Sequence, residues 1–188
     1  IGAALALATA AAIDDQKEQS DLALILTNTA DASDELVKSI EDEISVMSRA
    51  SGIADTDYRK ALEILTIQSK DAGKSMDDMN LIMDTAVGLH TDSATVADAL
   101  AKAYEGNFKA LKTLSPEIKT MVDDGKSLEE IMAVMGGTFG GAVSKNAETA
   151  AGQMAILKNS IGETQESIGA ALLPVIEAVL PYLQAFAD

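Results

Sequence analysis

The chain has 188 residues, 47% of them hydrophobic yet only 3% aromatic, with no tryptophan and no cysteine. That is enough apolar material to bury a core, and its bias toward Ala, Leu, Ile, Val and Met suits closely spaced helices rather than sheets. Thirty acids against fourteen bases give a net charge of −16, which repels a polyanion and argues against specific nucleic-acid binding, while the missing cysteine excludes disulfides, a thiolate metal site and a cysteine nucleophile.

The chain begins at Ile1 rather than methionine, so a piece of something longer or a processed product is expected. Its opening "IGAALALATAAAI" is apolar over thirteen residues, short of the roughly 20 that span a bilayer, and "DDQKEQSDLALILTNTA" can prolong the same helix. The next helix takes Ser33 or Asp34 as its cap, lines up Leu36, Ile40, Ile44 and Met47, and closes at Gly52. "DTDYRKALEILTIQSKDAG" puts Tyr58, Ala61, Leu62 and Leu65 on one stripe, with Gly73 as its stop. Ser75, followed by Asp78, opens the following helix, whose apolar stripe is Met76, Met79, Met83, Ala86 and either Leu89 or His90. Val96, Leu100, Ala103 and Tyr104 form the next, ended by Gly106 and Asn107. Ser115 and Pro116 have helix-start chemistry, Gly125 ends that short helix, and Ser127 with Glu130 has capping-box spacing.

"GGTFGG", residues 136–141, reads as the main hinge or turn, at Gly136, Gly137, Gly140 and Gly141. Beyond it Ala147, Met154, Ile161, Ile168, Val175 and Tyr182 recur every seventh residue, with Ala150, Leu157, Thr164, Ala171 and Ala178 between them, a heptad seam. Leu172, Ile176, Val179 and Phe186 join it in an apolar tail. The helix–helix contact residues expected are thus Ala147, Met154, Leu157, Ile161, Ile168, Leu172, Val175, Ile176, Val179, Tyr182 and Phe186. A proline inside a helix removes a hydrogen bond and costs roughly 3 kcal/mol, so a break or kink is expected just before Pro174. The expected fold is all-α: a multi-helix bundle or array of short helices with a long C-terminal heptad-patterned helix and no significant sheet. Its divisions are a helical subdomain over 1–135, the hinge at 136–141, and a long broken helix with its tail over 142–188.

Catalytic signals are weak. His90 is the sole histidine, and the acid pairs Asp14/Asp15, Asp77/Asp78, Asp123/Asp124 and Glu129/Glu130 are adjacent residues that diverge by about 100° on a helix. "DDGKSLEE" lacks the alternating ligands of a calcium loop, and "GGTFGG" lacks the lysine of a phosphate loop. No catalytic residue, metal ligand, cofactor or enzymatic activity is expected.

The run from "YRKALEILTIQSKDAGKSMDDMNLIMDTAVGLHTDSATVADALAKAYEGNFKALKTL" to "GTFGGAVSKNAETAAGQMAILKNSIGETQESIGAALLPVIEAVLPYL" resembles the helical core region of phage tail tape measure proteins. The corresponding motifs are Ala99 to Leu114, Phe139 to Ala142, Ala147 to Lys158 and Ile168 to Ile176, within a likeness that covers residues 44–186. Leu114-Ser115-Pro116 departs from it, where the family often has Leu-Gly. The resemblance implies a structural virion protein in the lumen of the tail tube or tail tip, made in the host cytoplasm. Such a protein sets tail length during assembly and leaves the tube at DNA delivery. Its implied partners are tail tube and distal tail-tip proteins, tail assembly chaperones and further copies of itself. A second reading is a membrane-active helical segment that joins a DNA-delivery channel on ejection. An appended cell-wall hydrolase is a third.

Overall fold

The computed structural model describes the backbone of residues 2–187, with side chains from Leu5 to Val175 and at Ala178. All regular structure among the described residues is helical, so the fold is all-α. The order is α1 (Gly2–Ala30), α2 (Asp34–Ser51), α3 (Asp55–Ser69), α4 (Ala72–Asp77), α5 (Met79–Leu89), α6 (Ser93–Tyr104), a 3-10 turn at Leu111–Thr113, α7 (Pro116–Asp123), α8 (Leu128–Phe139), α9 (Ala142–Ala147) and α10 (Ala150–Ala187).

Local chemistry sets most of the starts. The Ser33 hydroxyl accepts from the Leu36 N–H, and the Ser115 hydroxyl from the Ile118 N–H ahead of Pro116. Ser127 and Glu130 form the reciprocal capping box, satisfying two of the N–H groups that a helix start leaves free. Gly52 ends α2 at φ 73°, where a Cβ would also lie 2.7 Å from the Ile156 backbone nitrogen of α10. Both the left-handed turn and the close approach require glycine there.

Several boundaries differ from expectation: the helix expected from Ser75 is divided at Asp78 into α4 and α5, and the long helix expected from residue 142 is divided at 148–149 into α9 and α10. The α3 helix stops at Lys70 in a left-handed conformation, not at Gly73, which lies inside α4. The cap of α4 is Asp71, whose carboxylate accepts from the Lys74 N–H. Ser75 is buried and hydrogen-bonds the Asp71 carbonyl. A carboxylate one residue past the left-handed turn restarts the helix sooner than a serine four residues on.

The core is built around α3, which lies between α1 and α6. Ala61, Leu62 and Leu65 of α3, Leu22 and Leu26 of α1, and Val96 and Leu100 of α6 are fully buried. Met79 and Ile82 of α5 and Ile131 and Met135 of α8 extend this core to the far side. Methionine fills irregular gaps where several short helices converge. Along the opposite side α1 and α10 run against each other over much of their length.

Of the break or kink expected near Pro174, the break is not found: α10 continues through it. Pro174 is exposed, and so is Ala170, the residue whose carbonyl loses its amide partner. Water can serve that carbonyl, which lowers the cost of an internal proline. The glycine stretch is also not a free joint. Gly136 and Gly137 belong to α8, and only Gly140 and Gly141 turn the chain. The Asp84 carboxylate of α5 accepts from the Gly141 and Val143 N–H groups at 2.8 and 2.9 Å, fixing that turn to the core.

Candidate functional site

The α10 helix divides into two faces. The inner face, against α1 and α2, mixes small, polar and apolar residues: Gly152 and Gly169 are buried, and Ala155, Ile156, Asn159, Gly162, Glu163, Glu166 and Leu173 are partly buried. A Cβ on Gly169 would collide with the Ala8 carbonyl oxygen and lie 2.8 Å from the Ala12 Cβ, so α1 and α10 meet backbone to backbone. Asn159 Nδ2 donates to Ser48 Oγ at 2.6 Å and to the Ile53 carbonyl at 3.2 Å, holding α10 to the end of α2.

The outer face carries the heptad seam. Met154, Leu157, Ile161, Ile168 and Val175 are 64%, 54%, 53%, 48% and 58% exposed. Ala150, Thr164, Ala171 and Ala178 between them are exposed as well, and Ala147 and Leu172 are half-buried. Ala147 ends α9, so the turn at 148–149 interrupts the expected seam there. The seam residues from Ala150 onward share one side of α10, which no other helix covers among the described residues except where α1 adjoins Leu172. Four residues assigned to the same contact, Ile176, Val179, Tyr182 and Phe186, have side chains outside the described residues. At the far end of the α1/α10 pair, Leu5, Thr9 and Ile13 join Leu172 and Val175 around an apolar groove of about 460 Å³.

Between α10, α1, α2 and α3 lies an open cleft of about 720 Å³ that contains both of the chain's arginines. The Arg59 side chain, on α3, is 6% exposed and is surrounded by acids. Its Nη1 lies 2.8 Å from Asp15 of α1, 2.8 Å from Asp55 one turn earlier on α3, and 3.4 Å from Glu18 of α1. Its Nε donates to Glu41 of α2 at 3.0 Å. One cation thus ties three helices together, and Arg49 reaches Glu163 of α10 at 3.5 Å.

Charge in this cleft is unbalanced. Burial raises the pKa of Asp15 and Glu41 even though Arg59 pulls the other way. Glu166 of α10 is pushed up to about 7, by burial first and then by the nearby Asp55 and Asp15 charges. Carboxylate oxygens of Asp15, Asp55 and Glu166 lie within 4.8 Å of one another, the set that could ligate a cation. The Arg59 guanidinium already supplies positive charge to the two aspartates. The cleft lining includes no aromatic side chain and few apolar ones, whereas pockets for organic ligands are mostly apolar. Its geometry is that of an ion-pair network between helices.

Glu166 gives this network a pH dependence of definite sign. In the unfolded chain a glutamate titrates near 4.3, and in the folded chain near 7. Between those values the folded state holds more protons, so stability falls as pH rises through that window. Thermal unfolding should occur about 2–4 °C higher at pH 5.5 than at pH 7.5, a modest shift because the group is partly exposed. Glu166→Gln should flatten the difference and raise the pH 7.5 midpoint; an unchanged slope in the variant would assign the effect to other acids.

Sequence reasoning singled out the seam but not Arg59. The only local signal for Arg59 is its i,i+4 spacing from Asp55; its other partners come from α1 and α2. No protein-family model matches the chain, and neither a curated protein nor a solved structure shows significant similarity to it.

Proposed function

We propose that this chain is a structural, non-enzymatic segment of a phage tail tape measure protein, housed in the tail tube or tail tip and acting in tail assembly and length determination. What supports this reading is the ordered set of motifs from Ala99 to Ile176, together with the unpaired apolar seam along α10. Contiguous apolar surface of this kind marks an interaction site. Tail tube and tip proteins, assembly chaperones and other copies of the chain are its proposed partners, and release at DNA delivery its proposed fate. A rod of 188 helical residues would reach about 280 Å at ~1.5 Å per residue, but the chain is folded back into a bundle. Most of the ruler length is therefore assigned to sequence outside this segment.

In the phage that encodes the chain, in-frame removal of these residues should yield tailless particles or tails of altered length under the electron microscope. Wild-type tails of unchanged length would overturn the reading.

The apolar groove at Leu5, Ile13, Leu172 and Val175 favours a second reading, a membrane-active segment of a delivery channel. No helix among the described residues is long and apolar enough to cross a membrane. Flotation with liposomes would support this alternative, and sedimentation without them the assembly role.

A further inference from the structure

The outer face of α10 is distinguished by charge as well as by apolarity. Between residues 150 and 175 neither the seam positions nor the positions beside the stripe on the helix surface hold an aspartate or glutamate; those flanks include Gln153, Lys158, Gln165 and Ser167. The two glutamates of that stretch, Glu163 and Glu166, face the arginine cleft on the other side. In a chain of net charge −16, approach of a second copy is opposed by like-charge repulsion over most of the surface. Along this stripe that penalty is absent.

The side-chain volumes on the stripe complement one another when the helix is reversed. We infer that α10 pairs with α10 of a second copy in antiparallel orientation, about a two-fold axis passing between Gly162 and Glu163. A two-fold contact uses the same patch on both copies. This register sets Ile161 against Thr164, Leu157 against Ile168, Met154 against Ala171, and Ala150 against Val175, all of them exposed in the single chain. Three of the four layers join a bulky side chain to a small one, which holds the helix spacing even. A parallel pair would instead stack Ala171 on Ala171 and Ile168 on Ile168, leaving gaps between wide layers, which packing disfavours.

Twenty-five residues of rise give a contact about 38 Å long and roughly 10 Å wide. That footprint is below the ~800 Å² per partner of a standard stable interface, so the pair is weak and forms at high local concentration. The inference deepens the assembly reading by naming the second copy as occupant of the seam. Pairing can fail while tails remain dependent on the chain, and the reverse, so the two tests separate.

The absence of cysteine from the chain makes the register directly testable. Met154→Cys and Ala171→Cys chains, mixed and oxidised, should give a disulfide-linked dimer that neither gives alone. Sedimentation of the parent chain should show mass rising toward a dimer between about 10 µM and 1 mM. Ile161→Glu should hold it monomeric with unchanged helix content. A parent that stays monomeric to the top of that range, self-crosslinking of Met154→Cys alone, or a dimer indifferent to Ile161→Glu would each overturn the inference.

Discussion

Substituting Gly169 with alanine should lower the unfolding midpoint of the chain, and with leucine should separate α10 from α1. In an unconstrained helix interior Gly→Ala is stabilising by roughly 0.5–1 kcal/mol. At Gly169 the added carbon meets the Ala8 carbonyl oxygen, lies 2.6 Å from the Ala8 carbonyl carbon and 2.8 Å from the Ala12 Cβ. Backbone cannot swing aside as a flexible side chain can. The helices must part, and overpacking of this kind costs about 1–3 kcal/mol or more. Gly162 provides the control on the same helix, since nothing lies within 4 Å of a Cβ built there. Gly162→Ala should therefore raise the midpoint by about 2 °C while Gly169→Ala lowers it by about 2–8 °C. Equal shifts for the two variants in a thermal melt would mean that α1 and α10 do not approach as closely as described.

Arg59→Leu should be the most damaging single change to a charged residue. It leaves Asp15, Asp55 and Glu41, each about one-fifth exposed, without their shared counter-ion. Removing one member of a buried ion pair costs about 3–5 kcal/mol, and partial exposure of the acids places the expectation near the lower bound. A midpoint loss on the order of 10 °C follows for a chain of this length. The loss should shrink as pH falls, because burial raises the carboxyl pKa of Asp15 and Glu41 and so favours their neutral forms. Arg49→Leu should cost under about 1 kcal/mol, because the Arg49 side chain is half exposed and such pairs contribute little. Comparable losses from the two arginine variants would remove Arg59 from its central place.

The helix starts at Ser33, Ser115 and Ser127 were legible in the sequence because capping depends on three or four consecutive residues. The stripes of α3 and α6 were legible for the same reason, since one face carries both the apolar side chains and the core; that of α2 was legible in part, with Ile40 and Ile44 buried but Leu36 41% exposed. The long final helix misled because those two properties separate. Its most regular apolar face, Met154 through Val175, is the exposed one, and the face that docks combines glycine, asparagine and glutamate with only a few apolar side chains such as Ile156 and Leu173. Periodicity reports which residues share a side, not which side meets the fold. Pro174 misled in another way: the cost of an internal proline depends on whether water reaches the freed carbonyl, which tertiary exposure decides. Arg59 was illegible because its partners converge from α1, α2 and α3, and nothing in adjacent residues records that meeting.

The attachment of α10 has an implication for the order in which the molecule comes apart. Gly152 and Gly169 are the only fully covered residues on it among those described, whereas α3 contributes Ala61, Leu62, Leu65 and Thr66 to the interior. Detaching α10 exposes far less oily surface than pulling out α3, so partial opening begins there. A chain pulled from its ends would thus shed its longest rod early and surrender its short-helix body late, yielding in steps rather than all at once.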